Sequence, residues 1–181
     1  FTAYVDHAHY IGAKYLAYPL PSANNYKFDS DEFVSMIRKE HPHLICCENP
    51  NNPTGQSLER GDIQKIISAA MDVGAAVVFD EAYGDYLPAR LHSAIPYILD
   101  AAKDGVDVFV TRTFSKGFGM AGMRLGYAIG PAEAVHHLKK LVTPFNSNSL
   151  AQYLAQAMLS LEPKYLEQLG EITCQENHHL Y

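Results

Sequence analysis

Residues 111–127 read TRTFSKGFGMAGMRLGY, with one lysine, Lys116, set between hydroxyl residues and glycines. A lysine on a solvated face needs no such neighbours. Thr113 and Ser115 offer hydroxyls and Arg124 a planar guanidinium, a set that suits a phosphate monoester. Glycines let backbone pass close to another group. Nearby cations and partial desolvation favour the neutral amine, which attacks carbonyls as a Schiff-base nucleophile. GFGMAG (117–122) also spells G-x-G-x-x-G. A dinucleotide site needs a helix after that motif. MRLGYAIG follows instead and reads as a strand, so the nicotinamide reading is rejected.

Two further clusters carry chemistry. Asp80 ends AAVVFD (75–80), directly off an apolar run. A carboxylate there is costly to desolvate unless it meets a cation or several donors. A helix N-cap or a structural salt bridge would use such an acid, and so would a counter-ion for a bound cationic group. NPNNPTG (49–55) is a turn-forming stretch. Alone it reads as a surface loop, but directly after an apolar run its prolines can hold an asparagine amide as a neutral donor. A lysine nucleophile, a carboxylate, a neutral donor and a phosphate cradle are together what pyridoxal 5′-phosphate requires.

These residues must be positioned by something. Residues 2–12 read as helix and KYLAYPL (14–20) as a strand. Ser30 is the expected cap of a helix whose inner face is Phe33, Met36 and Ile37. HLICCEN (43–49), AAVVFD (75–80), VDVFVTRT (106–113) and RLGYAIG (124–130) read as strands. Ile63, Ile66, Ile67, Ala70 and Met71 have helical spacing, with Gly74 as the stop. Pro131 opens another helix, and Leu150, Tyr153, Leu154, Ala157, Met158 and Leu161 mark a later one, with Tyr153 and Met158 assigned to the core. Strands alternating with helices imply an α/β sheet. Ligands of open α/β sheets lie beyond the carboxyl ends of the strands. The three polar clusters fall there, on one rim.

Composition narrows the function classes. The chain has 181 residues, 48% of them hydrophobic, and a formal net charge of −6, which argues against a nucleic-acid binder. No apolar run reaches membrane-spanning length. The 3 cysteines form neither a disulfide framework nor a metal-ligand spacing, and a reducing, cytoplasmic setting is expected. His41 and His43 lack a third ligand, His136–His137 and His178–His179 read as surface residues, and no metal site is expected.

NPNNPTG, DEAY (80–83) and SKGFGMAGMRLGY (115–127), in this order, resemble fold-type I pyridoxal-phosphate aminotransferases (class I/II). PFNSNSLAQ (144–152) adds a likeness to the histidinol-phosphate aminotransferase-like branch. The resemblance implies a three-layer αβα large domain, its sheet mostly parallel with one antiparallel strand near 124–130. It implies a cofactor-binding large domain over 1–145, incomplete at its N-terminus, and a helical connection over 146–181 toward a small C-terminal domain. Among the residues, it implies that Lys116 binds pyridoxal 5′-phosphate as a Schiff base and then transfers the proton. Asp80 would pair with the ring nitrogen. Asn52 and Tyr83 would bond the phenolic oxygen, with Tyr83 also counted as catalytic. Thr113, Ser115 and Arg124 would hold the phosphate, and Phe1 would stack on the ring. The Asn52–Pro53 bond is implied to be cis. Asp85 and Tyr86 stand where relatives often carry Glu and Phe, past the ligand-contacting part.

The implied reaction moves an amino group from a small-molecule amino donor, an amino acid or a histidinol-phosphate-like amine, to a 2-oxo acid, in a homodimer. A lyase or decarboxylase on the same fold is the alternative, and a non-catalytic truncated fragment is another. Members of the family are about twice this length. The chain is therefore expected to be the middle of such a protein, with exposed ladder edges where a strand of relatives is absent.

Overall fold

The computed structural model describes residues 2–87, 92–160 and 164–177. Phe1, Leu161 and His178–His179 lie outside the described residues.

Four strands form one sheet in the order β1 (Leu44–Glu48), β2 (Ala76–Asp80), β3 (Val108–Thr113), β4 (Gly126–Ile129). The first two pairings are parallel and β3–β4 is antiparallel, as expected for the strand near 124–130. Ile45 and Cys47, Val77 and Phe79, and Val108 and Val110 alternate into the core, two residues apart as a pleated strand requires. Register sets Glu48 beside Asp80 and Asp80 beside Thr111, so three polar side chains form a row across the carboxyl ends of the parallel strands.

Helices α1 (Thr2–Tyr10), α2 (Ser30–Glu40) and α3 (Arg60–Val73) precede β2. Asp29, not Ser30, caps α2, its carboxylate accepting from the amides of Asp31 and Glu32 at 3.0 Å each. An ionised acceptor at a helix start also meets the positive end of the helix dipole, which a serine hydroxyl meets less strongly. Val34 and Ile37 of α2 are buried, whereas Phe33 and Met36 are only half-buried. In α3, Ile63, Ile66, Ala69 and Ala70 are buried, and Met71 faces outward instead. Gly74 ends this helix at φ +71°, a left-handed conformation open to glycine at no steric cost. Shorter α4 (Ile98–Lys103) buries Ile98 and Ala101 before β3.

The expected strand at 14–20 does not form: these residues are neither helix nor strand. Tyr18 instead packs edge-on against Phe28 and Phe33 and donates to Glu32 Oε2 at 2.8 Å. Its apolar surface is satisfied by α2 rather than by a ladder. After β4 come α5 (Ala132–Lys139), α6 (Ser149–Ser160) and α7 (Lys164–Asn177). On α6 the buried face is Ala151 and Ala155, whereas Tyr153 is 69% exposed and Met158 half-buried. Tyr153 is therefore not a core residue here. The apolar stripe on this helix is real, but periodicity identifies a face without saying what covers it.

Candidate active site

Asp80 stands at the end of β2, where the strand's apolar alternation runs out. Its Oδ1 accepts from the Ala82 amide at 3.1 Å and the Thr111 hydroxyl at 3.2 Å, and its Oδ2 from the Tyr4 hydroxyl at 2.5 Å. Among the described residues no cation ion-pairs with it. Donors alone therefore compensate its desolvation. Burial first, and then the Asp80 hydrogen bond, push the Tyr4 phenol well above its ordinary range, so Tyr4 stays a proton donor. Tyr4 was missed in the sequence. Nothing in TAYVDHAHY marks it, because its partner lies 76 residues along the chain.

The loop after β1 is tied to itself. Asn49 is buried; its Oδ1 accepts from Leu58 N at 2.9 Å and its Nδ2 donates to the His92 carbonyl. Asn51 Oδ1 accepts the Thr54 hydroxyl at 2.7 Å, and Glu48 Oε2 accepts the Asn52 amide at 3.2 Å. Both Asn49–Pro50 and Asn52–Pro53 are cis. Asn52 is left exposed on the rim, with its Nδ2 3.5 Å from the Tyr83 hydroxyl. Lys116 Nζ lies over the ring of the same Tyr83, 5.1 Å from its centroid. Asn52, Tyr83 and Lys116 are thus drawn from three loops to one place.

The lysine loop closes through Gly119 N donating to the Lys116 carbonyl and Met120 N to the Phe114 carbonyl, both at 2.9 Å. Only a single 3-10 turn (Ala121–Met123) separates it from strand β4, so the α-helix that a dinucleotide site needs is absent there. Lys116 is exposed rather than packed among cations. The Thr113 hydroxyl donates to the Leu125 carbonyl at 3.2 Å and accepts the Ser115 amide at 3.1 Å, so it shapes the turn. Arg124 sits at φ +52° and its guanidinium donates to the Ala121 carbonyl at 3.0 Å. Among the described residues it makes no hydrogen bond or ion pair to another expected site residue.

Beneath the rim lies a charged cluster that sequence reasoning also missed. Arg112 donates through Nε and Nη2 to Glu81 Oε2, at 3.0 and 2.6 Å, and through Nη1 to Asp85 Oδ1 at 3.1 Å. The Arg112, Glu81 and Asp85 side chains are 9%, 1% and 6% exposed. The Ser93 hydroxyl donates to Glu81 Oε2 at 2.9 Å and the Ala94 amide to Glu81 Oε1 at 2.7 Å. Burial pushes the Asp85 carboxyl up, against the pull of Arg112. The only local signal was a charged pair, Asp80–Glu81, next to an apolar strand. Gly117 passes over this cluster so closely that an added Cβ would lie 2.7 Å from Asp85 Cβ.

Residues 1–180 match the profile of the family described as aminotransferase class I and II. A histidinol-phosphate aminotransferase of Thermoanaerobacter sp. (strain X514) is 38% identical over 78% of this chain and 37% of its own length. An aromatic amino acid aminotransferase of Nocardia farcinica is 36% identical over 83% of this chain and 41% of its own. The chain thus spans less than half the length of these curated relatives. The crystal structure of the histidinol-phosphate aminotransferase from Clostridium acetobutylicum superposes with a TM-score of 0.84 at 23% identity, over 99% of this chain and 52% of that one, a likeness of fold.

Proposed function

The chain belongs to the aminotransferase class I and II family, and from that premise we propose that it forms the cofactor-binding part of a pyridoxal-phosphate-dependent aminotransferase. The amino donor is an amino acid or a histidinol-phosphate-like amine, and the acceptor a 2-oxo acid. A single observation carries the proposal: a donor-held carboxylate, a tyrosine hydroxyl, an asparagine amide and a lysine amine lie on the rim made by the strands' carboxyl ends.

That donor set suits pyridoxal 5′-phosphate. When bound, the cofactor supplies an electron-accepting ring for the charge left on the substrate carbon. Lys116 would hold the cofactor through its aldehyde carbon, and its Nζ is the group that would take and return a proton. Asp80 keeps a negative charge where the ring nitrogen would lie. Tyr4, Thr111 and the Ala82 amide fix the carboxylate's direction, and protonated Tyr4 leaves the charge on Asp80. Asn52 and Tyr83 would donate to the phenolic oxygen, while Ser115, Arg124 and the turn built on Thr113 would hold the phosphate. The ring-stacking role that the resemblance implies for Phe1 falls outside the described residues. Residues 146–181 lead toward a second domain, and the working unit is a cytoplasmic homodimer. No helix among the described residues is long and apolar enough to cross a membrane.

The test adds pyridoxal phosphate to the complete protein. A visible absorption band that borohydride reduces onto Lys116, and that Lys116→Ala lacks, is expected. The same band in the alanine variant overturns the assignment. With histidinol phosphate and 2-oxoglutarate, transfer of the amino group to the acceptor is expected; release of ammonia or carbon dioxide instead selects a lyase.

A further inference from the structure

We propose that Tyr165, on α7, is a positioning residue for Lys116: it holds the lysine loop down onto the buried Arg112–Asp85–Glu81 cluster. This rests on the reading of Lys116 as the reactive amine. The Tyr165 hydroxyl donates to the Gly117 carbonyl at 3.1 Å, one residue past the lysine. Its ring stacks on Phe118, centroids 6.4 Å apart, and Phe118 packs on Phe114 at 5.1 Å. The loop is therefore gripped from above by α7 and from below by Asp85, which leaves Gly117 no room for a side chain. Asp85 is itself fixed by Arg112.

The helix that carries Tyr165 is seated on the same cluster. An added Cβ on Gly170 would lie 3.3 Å from the Tyr86 carbonyl, so α7 crosses the 84–86 turn in close contact. That turn carries Asp85 and follows Tyr83, whose ring lies under Lys116. Both walls of the lysine loop are thus referenced to α7. Tyr165 is 40% exposed, so its ring is not locked by the core alone, and the hydroxyl's bond supplies the directional constraint. A shift of α7 then moves the Gly117 carbonyl and, with it, the direction of the Lys116 amine. Because 146–181 is read as leading to a second domain, that domain's position would reach the reactive amine through Tyr165.

Tyr165→Phe, made in the complete protein, keeps the ring and removes the hydroxyl. Amide hydrogen exchange is followed first without added cofactor, at Gly119, whose amide is bonded to the Lys116 carbonyl. Exchange about three- to tenfold faster, confined to the 114–120 segment, is expected from the loss of one hydrogen bond. With pyridoxal phosphate added, the pH midpoint of the Lys116 absorption band is expected to shift while the urea midpoint of unfolding changes little. Wild-type exchange and an unmoved spectral midpoint in the variant overturn the proposal and leave the Lys116 assignment standing. Faster exchange in a protein whose wild type gives no borohydride-reducible adduct on Lys116 overturns both.

Discussion

The Tyr4 hydroxyl lies 2.5 Å from Asp80 Oδ2, joining the first helix to the end of the central strand across 76 residues. The phenol is raised above its ordinary 10.0 in the folded state, chiefly by burial and then by this bond. In the unfolded chain Tyr4 loses its proton first as pH rises. Its stabilising contribution is therefore complete below about pH 10 and falls above it, since the folded state binds the extra proton. Urea midpoints from pH 8 to 11.5 should fall more steeply for wild type than for Tyr4→Phe. At pH 7 the substitution should cost about 1.5 kcal/mol, the lower end for a hydrogen bond to a charged group because the site is half-exposed.

Asp80→Asn preserves shape and removes the charge. On the proposed assignment it should lower amino-group transfer about a hundredfold or more, as the loss of one preorganised electrostatic partner does. Circular dichroism should stay native, because Thr111 and the Ala82 amide can still donate to the amide oxygen and the Tyr4 hydroxyl can turn to accept from the new Nδ2. Equal turnover in the two proteins would contradict the assignment.

Arg112→Met leaves two buried carboxylates without their cation, which should cost about 3–5 kcal/mol at pH 7. Acid should relieve the loss. The Asp85 carboxyl is already raised above 3.8 by burial, and removing Arg112 takes away the pull that opposes this. A carboxyl raised in the folded state lowers stability as pH rises from 3.8 through its folded value, so protonation favours the folded variant. Denaturant titrations at pH 5 and pH 7 should show the gap between variant and wild type narrowing at the lower pH.

Gly117→Ala places a methyl 2.7 Å from Asp85 Cβ and 2.9 Å from its Oδ2. The backbone must lift, costing about 1–3 kcal/mol as overpacking does. Gly61→Ala, in α3 with open space around it, should be neutral or slightly stabilising. Thermal unfolding of the two variants side by side checks the contrast.

Much of the fold was legible because its signals are local. Apolar runs of strand length ending in polar residues located β1 to β3, and Gly74 marked a helix end through a left-handed conformation that glycine adopts without steric cost. The expected site residues Asn52, Asp80, Tyr83 and Lys116 stood out as polar types at strand ends. The errors have a common form. KYLAYPL has the apolar run of a strand but packs Tyr18 on α2, and Leu150 and Tyr153 of α6 face outward. In each case the sequence marks an apolar surface, while the identity of its cover is a long-range matter.

Composition and motif order by themselves determined the α/β class, the rim where chemistry gathers and the kind of cofactor those residue types suit. Tertiary structure alone decided that Tyr4 faces Asp80, that Arg112 bridges Glu81 and Asp85 underneath, and that Tyr165 grips Gly117. The reason is physical. Turn chemistry and strand propensity act within a few residues, whereas a buried charge or phenol finds its partner only when the closing sheet and helices bring distant segments within hydrogen-bond length.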